Sequence, residues 1–184
     1  MKAKQLDQKD GRRTYMVVLD TGEEAMSTLK DFVRKERLTA AQVTAIGAFR
    51  DAVLFFFDWE TKEYLHRPVT EQTEVAALVG DVALGADGEP MLHLHVVLGT
   101  RDCTALAGHL SEGHVRPTLE VMLTETPAHL QRVEDRETGL ALIRAEGRSR
   151  CRSARPCGRS RKATFRARAR ATTGRCCRTR PPAC

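Results

Sequence analysis

Along the first 143 positions, apolar and polar residues alternate mostly at strand spacing, with one early change to helical spacing. "TYMVVLD" (14–20) is dense in strand formers and follows a polar lead-in, residues 1–13, that contains Gly11. In "TGEEAMSTLKDFVRKER" the period lengthens. Met26, Leu29 and Val33, flanked by Ala25 and Phe32, share one face; Lys30, Arg34, Lys35 and Arg37 take the opposite side and the C-terminal end, where cations suit the helix dipole. Thr21 with Glu24 three positions on fits a capping box, so the segment predicts an amphipathic helix of about four turns. "AAQVTAIGAF" and "DAVLFFFDW" return to strand, the second apolar on both faces and therefore expected to be covered on both. "KEYLHRPV" is a weaker strand, interrupted by Pro68. "TEVAALVGDVAL" and "MLHLHVVLG" flank "GADGEP", which predicts a hairpin around Asp87 and Gly88. In "VRPTLEVMLTE", Leu119, Val121 and Leu123 alternate with Thr118, Glu120 and Met122. One helix among six or so strands predicts a compact α+β domain on a mainly antiparallel sheet.

The pattern stops after Ile143. From Arg144 to Cys184 there is no Val, Ile, Leu or Met, and Phe165 is the one aromatic residue. Such a stretch cannot bury enough apolar surface to offset its conformational entropy, and disorder is expected. Charge divides at the same place. The chain of 184 residues has a formal charge of +6, but residues 1–143 carry 16 Lys and Arg against 23 Asp and Glu, while residues 144–184 carry 14 against 1. The part able to fold is acidic. The tail reads as an arginine-rich arm for nucleic acid, as a solvated tail without a partner, or, the reading preferred here, as GC-rich DNA translated out of frame.

Cysteine follows the same division. Cys103 lies in the first part and Cys151, Cys157, Cys176, Cys177 and Cys184 in the tail, at spacings that do not form paired zinc knuckles. A single cysteine in the folded part makes no disulfide framework and favours a reducing compartment. "MKAKQLDQKDGRR" lacks the apolar core of a signal peptide, and no apolar run approaches the ~18 residues that span a bilayer. These features predict a cytoplasmic protein without membrane partners.

The candidate chemistry lies in the histidines. Four of the six fall within "MLHLHVVLGTRDCTALAGHLSEGH". On a strand, His93 and His95 point to one face and Leu92, Leu94 and Val96 to the other. Neutral imidazole is the commonest ligand for zinc-like ions, and two on one strand face converge without moving the backbone. A third from a neighbouring loop would complete an open metal site. The alternative is that His93 and His95 line a half-buried sheet face or an interface. His114, in "EGH", reads as a solvent-exposed turn residue, and nothing around His66 or His129 suggests chemistry. Glu74 and Glu120 could each orient a ligating imidazole or supply an oxygen, or could be solvated strand residues. Cys103 has no local base beside it and reads as an inert thiol.

"AIGAFRDAVLFFFDWETKEY", "TEVAALVGDVAL", "HLHVVLG", "AGHLSEGHVRPTLEVMLTE" and "HLQRVEDRETGLALI", in this order, resemble the plants-and-prokaryotes-conserved (PPC) domain in its stand-alone bacterial form. The resemblance runs from about Tyr15 to Ile143, so the domain is placed at 14–143. It implies a homotrimer and an H-x-H … G-G-H histidine cluster that holds a metal ion in some members. His93, His95 and His109 occupy those positions, with Ala107 in place of the first glycine. The resemblance also implies an intersubunit ion pair for Arg50.

No "RGRP" or "GRP" AT-hook core occurs in the chain. The expectation is a non-enzymatic, regulatory PPC-domain trimer with a histidine-rich site for a zinc-like divalent ion or a small ligand. One alternative is a DNA-binding transcriptional regulator, which the acidic core and the lack of a recognition helix disfavour. Another is a metal-dependent hydrolase with Glu74 or Glu120 as base, for which there is no nucleophile–base pair and no phosphate loop.

Overall fold

A computed structural model describes residues 1–126 and 130–144. The tail expected to be disordered, and His129, lie outside the described residues.

Seven strands form one antiparallel sheet. They are β1 (Lys2–Lys9), β2 (Arg12–Asp20), β3 (Ala41–Asp58), β4 (Glu63–Val69), β5 (Thr73–Leu84), β6 (Pro90–Gly99) and β7 (Ala105–Glu125), in the order β1-β2-β7-β6-β5-β3-β4. Strand β3 pairs with both β5 and β7, so β3, β5, β6 and β7 close on one another as a barrel. Helix α1 (Ala25–Glu36) is the one α-helix among the described residues, and β8 (Arg132–Glu134) with β9 (Ala141–Ile143) makes a separate hairpin. The α+β class with a mainly antiparallel sheet is what the periodicity predicts. No helix among the described residues is long and apolar enough to cross a membrane.

The alternating residues make the core. Leu94, Val96 and Leu98 of β6, Leu119, Val121 and Leu123 of β7, and Leu29, Phe32 and Val33 of α1 are all buried together. Each side chain of this size contributes roughly 1.5–3 kcal/mol on leaving water.

Four elements differ from expectation, each for a local reason. The lead-in 1–13 contains β1. This strand is exposed along its whole length and is held by its ladder to β2, so no apolar alternation reveals it. Helix α1 has 12 residues, and its N-cap is Glu24 rather than Thr21: the Glu24 carboxylate accepts from the amides of Met26 and Ser27. Backbone bonds from Gly22 to Val115 and from Val115 to Glu23 tie the preceding turn to β7 and delay the helix start.

The two strands expected at 41–50 and 51–59 are one strand, β3, with register shifts between Ala45 and Asp51. The alternation inverts at Gly47: Ala41, Val43 and Ala45 face the core before it, and Ala48, Ala52 and Leu54 after it. Gly47 sits at the irregularity because a Cβ there would collide with the Thr118 carbonyl. In "DAVLFFFDW" Ala52 and Leu54 are buried and Val53, Phe55 and Phe57 on the other face are half-buried, while Phe56, on the face of Leu54, is 61% exposed. Lastly, His114 lies inside β7, half-buried, and not in a turn. Gly113 beside it is required by packing, because a Cβ would press on the Phe49 ring at 2.7 Å.

Candidate metal centre

The pleat of β6 drives Leu94 and Val96 into the core and turns His93 and His95 outward together. Gly80 of β5 lets β6 approach closely at this level, because a Cβ on it would strike the His93 carbonyl. On the other side of β6, His95 pairs with His109 of β7. The third histidine therefore comes from a strand and not from a loop. The inversion along β3 turns Phe55 to the same side, opposite both His109 and His66.

The three imidazoles converge. Ring centroids are 5.0 Å apart for His93–His95, 5.0 Å for His93–His109 and 5.5 Å for His95–His109. One ring nitrogen from each lies within 4.8 Å of the others, and no other group of three His, Cys, Asp or Glu side chains among the described residues could share an ion in this way. They stand in a cleft of ≈ 810 Å³, walled by Phe55, Phe57 and Tyr64 on one side and by Leu140 and Leu142 of the β8–β9 segment on the other.

Burial, with the charges of the neighbouring ring and guanidinium groups behind it, holds His109 down at about 4. Burial lowers His93 as well, with Arg132 and His95 adding to it. Neutral imidazole is the form that ligates a metal, so the site is prepared for one. Nδ1 of His109 is buried without a hydrogen-bond partner. A buried, unsatisfied nitrogen on one of three converging imidazoles fits a zinc-like ion.

Arg132 of β8 is the second layer. Only 5% exposed, its guanidinium donates from Nη2 to Asp81 at 2.7 Å and from Nη1 to the Ala141 carbonyl at 3.1 Å. Nη2 also lies 3.1 Å from Nδ1 of His93, while Nε has no partner. Arginine only donates, so His93 accepts at Nδ1 and carries its proton on Nε2, which faces Nε2 of His95 at 3.3 Å.

The other candidates fall elsewhere. Glu74 is exposed and pairs with Gly99, five residues along β5 from the Val79 that faces His95. Glu120 lies in β7 between Val18 and Ile46, in a depression with Met16 and Met122. Neither lines the cleft, so the base or second ligand considered for them is not near the histidines. Arg50 is exposed and pairs with Asp51 at 2.6 Å, whose other oxygen meets Nδ1 of His114 at 2.6 Å. His66 stacks 4.2 Å from the Phe55 ring, outside the trio, and Cys103 sits exposed in the turn between β6 and β7. Ala107 is in ordinary strand backbone opposite Val97, so its place needs no glycine. Asp81, Arg132 and the aromatic wall are the members that sequence reasoning did not single out.

Comparison with known proteins agrees with this architecture. Residues 6–127 match the Plants and Prokaryotes Conserved (PCC) domain. The chain belongs to this family. Among solved structures, a plant- and prokaryote-conserved (PPC) protein from Pyrococcus horikoshii is 34% identical, with a TM-score of 0.68 over 73% of this chain and 93% of that one. A metal-containing protein from Archaeoglobus fulgidus is 32% identical, with a TM-score of 0.67 over 78% of this chain and 99% of that one. A candidate DNA-binding protein from Bacteroides thetaiotaomicron is 25% identical, with a TM-score of 0.71 over 77% and 96%. No curated protein matches the chain. In this PCC domain the histidine trio lies within the matched residues 6–127, and the β8–β9 wall of its cleft follows them.

Proposed function

We propose that this PCC-domain protein is a non-enzymatic, self-associating binding protein that holds a zinc-like divalent ion on His93, His95 and His109 and receives a small ligand in the adjoining cleft. The observation that carries the reading is the convergence of three imidazoles, one ring nitrogen from each within 4.8 Å of the others. The metal-containing relative from Archaeoglobus fulgidus adds to it. The trio would supply three ligands of the usual four, so a bound ion would keep one coordination position for a further ligand. Asp81, the carboxylate joined to the trio through Arg132, is engaged by the guanidinium, and Glu74 and Glu120 are remote, so hydrolysis has no base behind it.

Self-association as a homotrimer draws on the outer sheet face. Met16, Met122, Thr44, Val79 and His95 follow one another across β2, β7, β3, β5 and β6, and Ile46 and Val79 are 61% and 52% exposed. An apolar face of this kind on a small domain calls for cover. DNA binding, the role named for the Bacteroides relative, has less behind it because residues 1–143 are acidic.

The test is metal content and solution mass of the full-length protein beside His93→Ala/His95→Ala. One zinc-like ion per chain, lost in the variant, with the mass of three chains in both, is the expected result. Equal metal in both proteins would contradict the site, and a monomeric mass would contradict the assembly.

A further inference from the structure

The charge around the trio is unbalanced once an ion is present, and Arg132 is placed to meet what balances it. Imidazole ligands bring no negative charge to a divalent ion, and the guanidinium beside them adds a further positive charge that, among the described residues, Asp81 offsets. Two like charges this close in a half-buried site disfavour each other. Coordination also changes the hydrogen bonding. If Nε2 of His93 ligates, its proton must move to Nδ1, where Arg132 can no longer donate. That releases one of the two Nη2 donors, on the same guanidinium whose Nε is already unpartnered and buried. Nε and Nη2 form one edge of the guanidinium fork, the edge that matches the two oxygens of a carboxylate. The walls next to it, Phe55, Phe57, Tyr64, Leu140 and Leu142, are apolar or aromatic.

We infer that the cleft binds a small organic acid jointly with the metal, the carboxylate bridging the open metal position and the Nε/Nη2 edge of Arg132 while an aromatic or apolar body lies along the Phe55–Tyr64 wall. The inference rests on the metal reading above. The cleft volume of ≈ 810 Å³ suits one such molecule. Because each partner supplies the charge the other lacks, acid and metal favour each other's binding by the same factor.

The test is calorimetric titration of Zn²⁺ into the full-length protein, alone and with phenylacetate, acetate or the neutral phenylacetamide. His93→Ala/His95→Ala sets the baseline for zinc taken up by the five cysteines of residues 144–184. Phenylacetate is expected to tighten the histidine-dependent Zn²⁺ site about ten-fold or more. Acetate should do so less, and phenylacetamide not at all. Arg132→Met, titrated with and without phenylacetate, should lose the enhancement relative to its own Zn²⁺ affinity. If Arg132→Met does not fold, the contrast between phenylacetate and phenylacetamide on the unaltered protein decides. Histidine-dependent Zn²⁺ binding that is indifferent to phenylacetate would overturn this inference and leave the metal site standing. Phenylacetate binding of equal strength without Zn²⁺ would overturn the coupling. Zn²⁺ uptake unchanged in the double variant would remove the metal reading and this inference with it.

Discussion

His109 is the residue whose environment departs furthest from that of a free histidine. Burial and the neighbouring positive groups hold its pKa at about 4, against 6.5 for an unperturbed histidine. The unfolded chain therefore takes up a proton near pH 6.5 that the folded chain refuses until about 4. Between those values the unfolded state binds more protons, so metal-free stability must fall as pH falls through that window. His93, shifted in the same direction, adds to the effect. Urea unfolding at pH 7.5, 5.5 and 4.5 is expected to show this decline, and His109→Leu to make it shallower; an unchanged slope in His109→Leu would show that His109 is not the buried neutral group described. At this scale the sequence was partly legible. The pairing of His93 with His95 follows from strand alternation alone, whereas His109 was reached through family resemblance. Asp81 and Arg132 were not found, because Arg132 lies 51 residues from Asp81 and 39 from His93, and nothing in "QRVED" indicates what it will meet.

The site depends on how β5, β6 and β7 sit against one another. Gly80 is the tightest point, where the β5 backbone meets the His93 carbonyl and approaches Leu94 Cα as no larger residue could. Gly80→Ala is expected to cost about 1–3 kcal/mol through forced separation of β5 and β6. It should also weaken metal binding by moving His93. Urea unfolding and zinc titration measure the two effects, and wild-type values for both would show that the close approach is not needed.

The elements with clean apolar alternation were legible: β2, β5, β6 and the second half of β7. Those governed by backbone geometry were not. Strand β1 gains little from apolar burial, and β3 reads as two strands because its register shifts invert the alternation at the point where the sequence looks like a break. The "EGH" of β7 resembles a turn because Gly113 is there, yet that glycine serves the Phe49 ring.

For the whole molecule, closure of β3, β5, β6 and β7 buries one face of the sheet and leaves the other to carry the histidines and an apolar stripe. Val79 lies opposite His95 across β5 and β6, so the surface proposed for self-association is continuous with the candidate site. The acidic composition of residues 1–143 suits cation binding better than contact with phosphate. The function proposed above requires that His93, His95 and His109 share one ion. A crystal of the full-length protein grown with Zn²⁺, with diffraction recorded on both sides of the zinc absorption edge, tests it directly. One anomalous peak per chain is expected, within bonding distance of a ring nitrogen from each of the three histidines. Anomalous density that avoids the trio, or sits only on cysteines, would contradict it.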